Sequence, residues 1–190
     1  GVAYRLEFRS TVKGGRLGIN AFALPGGTIV LLDGLVDFAE YDEDQIVAVL
    51  GHELGHVVHH HGMRNVLSAM SVGAVAGLLW GDFSGIAAQA GVIVGVLDYS
   101  REAEREADLF AVQFLHANGQ SVQPLYDFLI RVQDELEEGR GDMPNFLASH
   151  PATSERLDAL AQELANDEPE VDPEADRLPE AAPDPGADGV

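Results

Sequence analysis

His52-Glu53-Leu54-Gly55-His56 is the stretch whose reading decides the fold of this chain. Its pattern is HExxH. On an α-helix each residue advances by ~100°, so two histidines four apart lie only ~40° apart on one face. That spacing lets two imidazoles grip one metal ion. Glu53 projects beside the ion, where it can hold and deprotonate a water. The pattern reads as the zinc site of a metallopeptidase. The flanks read as helix: Asp42 is placed to cap its start, with Gln45 completing a capping-box-like pair. Asp42, Glu43 and Asp44 complement the positive end of the helix dipole. Ile46, Val47, Leu50, Leu54, Val57 and Val58 supply an apolar stripe at helical spacing.

Catalytic zinc takes three protein ligands and leaves one position open. Downstream candidates for the third are His116, His150 and the acidic cluster Glu102, Glu104, Glu106 and Asp108. The run Ser100-Arg101-Glu102-Ala103-Glu104-Arg105-Glu106-Ala107-Asp108 opens a helix expected to reach about Gly119. Glu104 and Asp108 share a face of it beside Ala103, Ala107, Phe110 and Ala111, and a carboxylate among apolar residues needs a partner. Glu102, Arg105 and Glu106 read as an ordinary solvated face.

These segments, followed by His150-Pro151 with Arg156 and preceded by Asn20-Ala21-Phe22-Ala23-Leu24-Pro25-Gly26-Gly27, resemble the CAAX-prenyl-endopeptidase and HtpX-like family of gluzincin metallopeptidases. The hallmark shared is SRxxExxAD after HExxH. The resemblance runs from about Leu17 to Leu164 and implies one zinc ion per chain, held by His52, His56 and Glu104. It implies Glu53 as general base and Asp108 as a carboxylate orienting a ligand histidine. It implies that His150 and Arg156 approach the metal and stabilise the oxyanion, or occupy the open site in a resting form. It further implies protein or peptide substrates, unfolded or membrane-linked. The expected setting is quality control at a membrane, in a bacterial periplasm or cell envelope.

The length of 190 residues suits one catalytic domain, residues 1–165, followed by an acidic, proline-rich tail expected to be disordered, 166–190. With no cysteine, disulfides, thiolate ligands and a cysteine nucleophile are excluded. The net charge is −21, of which the tail supplies −8 through nine acids and one arginine. Such a surface argues against nucleic acid and anionic headgroups as partners. Gly1 follows no charged-then-apolar leader, which reads as a removed targeting segment or an excised piece.

The expected fold class is α+β, mostly helical, a zincin-like domain with a small antiparallel sheet before the metal helix. Val2 to Phe8 alternates like a half-buried strand. Ile19 to Leu24 and Thr28 to Leu32 read as two strands around Pro25-Gly26-Gly27, with Asp33-Gly34 ending the second. The Asn20 to Leu32 region is the expected edge for a substrate strand. His59, His60 and His61 read as a polar helix end, and His116 as a histidine at a helix C-terminus. Residues 66–97 carry one charge, Asp82, and read as an apolar helical hairpin with its tip at Trp80 to Ser84. Each half is shorter than the ~20 residues of a membrane span, so packing with an exposed tip and peripheral membrane contact is expected over insertion. Pro124 to Glu138 reads as an amphipathic helix, and Thr153 or Ser154 caps a last helix ending near Leu164. The rival to a zinc endopeptidase is a non-catalytic, zinc-containing binding or chaperone-like module, against which an intact Glu53 argues.

Overall fold

A computed structural model of the chain describes residues 3–10, 18–68, 70, 99–138, 146, 149–151 and 153–167. Most of the 66–97 hairpin and nearly all of the 166–190 tail lie outside them. The described chain is α+β and mostly helical. Three strands come first: β1 (Arg5–Arg9), β2 (Ala21–Leu24) and β3 (Thr28–Leu32). Helices follow among the described residues: α1 (Asp33–Phe38), α2 (Glu43–Val58), α3 (Arg101–Ala117), α4 (Gln123–Glu138) and α5 (Ser154–Asp167). A further helical stretch covers 61–68. No helix among the described residues is long and apolar enough to cross a membrane.

The sheet order is β1-β3-β2. β2 and β3 pair antiparallel through a tight turn, with Phe22 opposite Val30. Gly26 and Gly27 take φ of 98° and 88° there, the left-handed region open to glycine. β1 differs from the expected antiparallel sheet. It pairs parallel to β3, with Arg5 opposite Thr28 and Arg9 opposite Leu32. Alternation identifies a strand but not its direction. A three-residue turn forces β2 and β3 antiparallel, and β1 lies beside β3 instead of beside β2, its neighbour in sequence, which makes its pairing parallel. The sequence reading also missed α1. This six-residue helix contains Gly34, and Leu32 at its N-cap makes no side-chain cap bond.

Asp42 does cap α2: its carboxylate accepts from the amides of Asp44 (3.0 Å) and Gln45 (3.1 Å). Ser100 caps α3 by accepting from the Ala103 amide at 3.2 Å. The buried residues of α3 are Glu104, Ala107, Asp108, Ala111, Val112 and Leu115. They form one continuous stripe that begins acidic and ends apolar. Its apolar half joins Leu31, Leu35, Val49, Leu125, Phe128 and Phe146 in the core. Its acidic half meets the buried histidines of α2.

Helices α2 and α3 meet closely because Gly55 has no side chain. A Cβ there would sit 2.9 Å from Ala107 Cα and 3.0 Å from its carbonyl oxygen. Gly55→Ala gains up to about 1 kcal/mol of helix propensity. Overpacking against backbone costs about 1–3 kcal/mol and wins. Urea unfolding should show a lower midpoint for Gly55→Ala. An unchanged or higher midpoint would mean the helices separate freely.

Candidate metal centre

His52 and His56 project from successive turns of α2, and Glu104 reaches them from the first turn of α3. All three are essentially inaccessible to solvent. His52 Nε2 and His56 Nε2 stand 3.1 Å apart. Glu104 Oε2 is 3.4 Å from His52 Nε2, and Oε1 is 3.3 Å from His56 Nε2. Two nitrogens bound to one tetrahedral zinc at about 2.0–2.1 Å stand about 3.3 Å apart. His150, from the segment before α5, points Nδ1 into the same space, 3.3 Å from His52 Nε2 and 3.1 Å from Glu104 Oε1. His52, His56, Glu104 and His150 thus offer donor atoms within 4.8 Å of one another.

The buried acids of the cluster favour positive charge beside them. His52 Nδ1 lies 2.9 Å from Asp108 Oδ1 and donates there, which turns Nε2 toward the other donor atoms. Burial lowers the affinity of His52 for a second proton. Asp108 and Glu104 outweigh burial and push its pKa up to about 9. Burial pushes His56 well below the usual value. Burial also opposes ionisation of Glu104, but His150, His52 and His56 hold it well below the usual carboxylate range. Buried Glu53 meets the Ala23 backbone and His150 Nε2, the latter 3.2 Å from its Oε1. A buried carboxylate with so few polar partners is expected where a further group completes the site. Two imidazoles and a carboxylate suit zinc.

Arg156 binds the carboxylates from behind. Its Nε and Nη2 donate to Asp108 at 2.6 and 2.8 Å. Its Nη1 stands 2.7 Å from Glu104 Oε2. Burial opposes ionisation of Asp108, and the Arg156 guanidinium and His52 outweigh it, so its pKa falls below the ordinary value.

A family model described as Peptidase family M48 matches residues 9–164. The chain belongs to peptidase family M48. M48 peptidases are zinc enzymes, and the histidine and glutamate cluster of this member fits that metal. The chain is 33% identical over 152 residues to a putative beta-barrel assembly-enhancing protease of Vibrio cholerae, a match covering 73% of this chain and 31% of the relative. It is 31% identical over 161 residues to the beta-barrel assembly-enhancing protease of Escherichia coli K12, covering 78% and 32%. It is 30% identical over 156 residues to metalloprotease YcaL of the same organism, covering 78% and 59%. The chain therefore spans about a third of the first two relatives and three-fifths of the third.

Three residues of this M48 site escaped the sequence reading. Tyr99 is buried and stacks on His56, ring centroids 3.8 Å apart, while its hydroxyl donates to the Ala23 carbonyl at 3.1 Å. Burial and the nearby Glu53 and Glu104 push its pKa up. His61 is not part of a solvated helix end but is buried against His56. Glu106 is not merely solvated either, because its carboxylate meets His61 at 2.8 Å. The reason is His60, whose φ of 57° ends α2 and turns the chain back. A continuing helix would carry residue 61 to ~140° from His56, so no helical spacing signalled the contact.

Arg156→Met should strand Asp108 and Glu104 as uncompensated buried charges, at a cost of about 3–5 kcal/mol. Denaturant unfolding of the metal-free protein at pH 7 measures it. The sign follows from the depressed pKa of Asp108. The contribution is complete above the ordinary aspartate value of about 4 and fades as pH falls through the depressed one. The variant should lose that part of the acid dependence.

Proposed function

We propose that this chain is the catalytic unit of a zinc-dependent endopeptidase acting in protein quality control at a bacterial cell envelope. The observation that carries this is Glu53. It is a fully buried carboxylate facing His150 Nε2 at 3.2 Å, one helical turn from His56 and beside the His52, His56 and Glu104 cluster. A purely structural zinc site has no use for such a base, which tells against a non-catalytic binding or chaperone-like module.

His52, His56 and Glu104 hold the zinc, which when bound supplies Lewis acidity to the scissile carbonyl and to water. Glu53 takes a proton from the attacking water as its oxygen bonds to the carbonyl carbon. Glu53 then delivers that proton to the amine nitrogen as the C–N bond breaks. Burial pushes the Glu53 pKa up, which suits a group that must both accept and return a proton. Asp108 orients His52 through Nδ1. Arg156 is committed to Asp108 and Glu104, so it positions carboxylates instead of meeting the oxyanion. His150 points into the donor set and closes it in a resting form, held by stacking on Phe146 at 4.6 Å.

The substrate enters as an added strand on β2. β2 is an edge of the sheet, and its alternate pairing with β3 turns the backbone groups of Ala21 and Ala23 outward. Ala23 reaches Tyr99, and Tyr99 covers His56, so this edge runs past the metal ligands. The SRxxExxAD segment supports placement among the CAAX-prenyl-endopeptidase and HtpX-like members. The envelope setting draws support from relatives named for beta-barrel assembly, and unfolded or membrane-linked proteins as substrates follow from the family resemblance. Peripheral membrane contact through 66–97 and the tail after residue 165 belong to the same proposal. The charge of −21 continues to argue against nucleic acid.

Casein, as an unfolded substrate, tests the reaction. A chelator should abolish its hydrolysis and added zinc restore it. Glu53→Gln should bind zinc as the wild type does and lose about 10²–10⁴-fold in rate. Activity retained in Glu53→Gln would sink the assignment.

A further inference from the structure

His61 is buried at 2% exposure, yet the reaction described above uses it for nothing. Its Nδ1 lies 2.9 Å from His56 Nδ1, and its Nε2 lies 2.8 Å from Glu106 Oε2. A carboxylate can only accept, so His61 donates from Nε2. A neutral imidazole carries one N–H, which leaves His61 Nδ1 as an acceptor. The proton between the two rings therefore belongs to His56 Nδ1. His56 Nε2 keeps its lone pair, and this is the atom that faces His52 Nε2 and Glu104 Oε1.

We propose that Glu106 and His61 are positioning residues that hold His56 in its Nδ1–H tautomer and so aim its Nε2 lone pair at the metal. The proposal rests on the reading of His56 as a zinc ligand. It goes beyond that reading by giving His56 a carboxylate of its own. His52 meets one directly, in Asp108. His56 reaches one through a second imidazole, at the partly exposed Glu106, which also faces Arg64 Nη1 at 3.3 Å and His59 Nδ1 at 4.0 Å. The left-handed turn at His60 is what brings His61 into line. Partners behind a ligand histidine fix its tautomer and raise its basicity, and their loss typically costs 10–100-fold in metal affinity.

Zinc affinity of the purified full chain, measured by competition with a chromogenic chelator, tests the relay. His61→Leu and His61→Gln have similar volumes, but only the glutamine oxygen can accept from His56 Nδ1–H. His61→Leu should weaken zinc by about 10–100-fold, while His61→Gln stays within a few-fold of wild type. A residue that merely fills space would give the two variants equal affinities, and that result overturns the proposal. Should His61→Leu fail to fold, Glu106→Ala decides instead, since its side chain is 35% exposed and its removal leaves no cavity in the core. Glu106→Ala should weaken zinc several-fold, and an unchanged affinity overturns the relay. Wild type that binds no zinc, or binds it as tightly after His52→Ala, marks failure of the metal reading itself.

Discussion

Buried charge is the constraint on which the rest of this structure depends. Glu53, Glu104 and Asp108 are carboxylates carried into an interior that penalises ionised groups by several kcal/mol each. Arg156 answers two of them, His150 Nε2 stands 3.2 Å from the third, Glu53, and the imidazoles of His52, His56 and His150 gather around Glu104. Each member holds another's protonation state. Asp108 is kept ionised by Arg156 and in turn fixes the tautomer of His52. The packing must supply these contacts together, because any one group alone would be expelled or neutralised.

The backbone meets that demand through two local devices. Gly55 lets α2 settle onto the Ala107 backbone, which places the acidic half of the α3 stripe against the histidines. The capping of α2 by Asp42 and of α3 by Ser100 sets where each helix begins, and so which residues point inward. The apolar half of the α3 stripe anchors the same helix in the main core. Function and stability thus share one helix face, with the charged end as the site and the apolar end as the foundation. Around the cluster, Tyr99 ties His56 to the edge strand β2, and the Tyr99 amide donates to the Ser149 carbonyl at 3.2 Å, next to His150.

Much of this was legible in the chain. The helical period places His52, Glu53 and His56 together, and a capping aspartate with an apolar stripe identifies α2. The β2–β3 hairpin follows from two β-rich runs around glycines. What was not legible lies at breaks in periodicity. The parallel pairing of β1 depends on which strand it lies beside, not on alternation. The helix α1 is too short and poorly capped to leave a periodic signal. His61 reaches His56 only because His60 adopts a left-handed conformation that non-glycine residues seldom take.

The sequence by itself determined the chemical kind of this protein. HExxH and its downstream acids are local patterns whose geometry is set by the 3.6-residue turn, so they can be read without a fold. Tertiary structure alone decided the partners of each group. Whether Arg156 meets an oxyanion or a buried carboxylate, and whether His61 faces water or His56, depends on contacts across 48 and 5 residues. Such contacts form where helices approach and chains turn, and the burial of charge that makes them necessary exists only once the chain has packed.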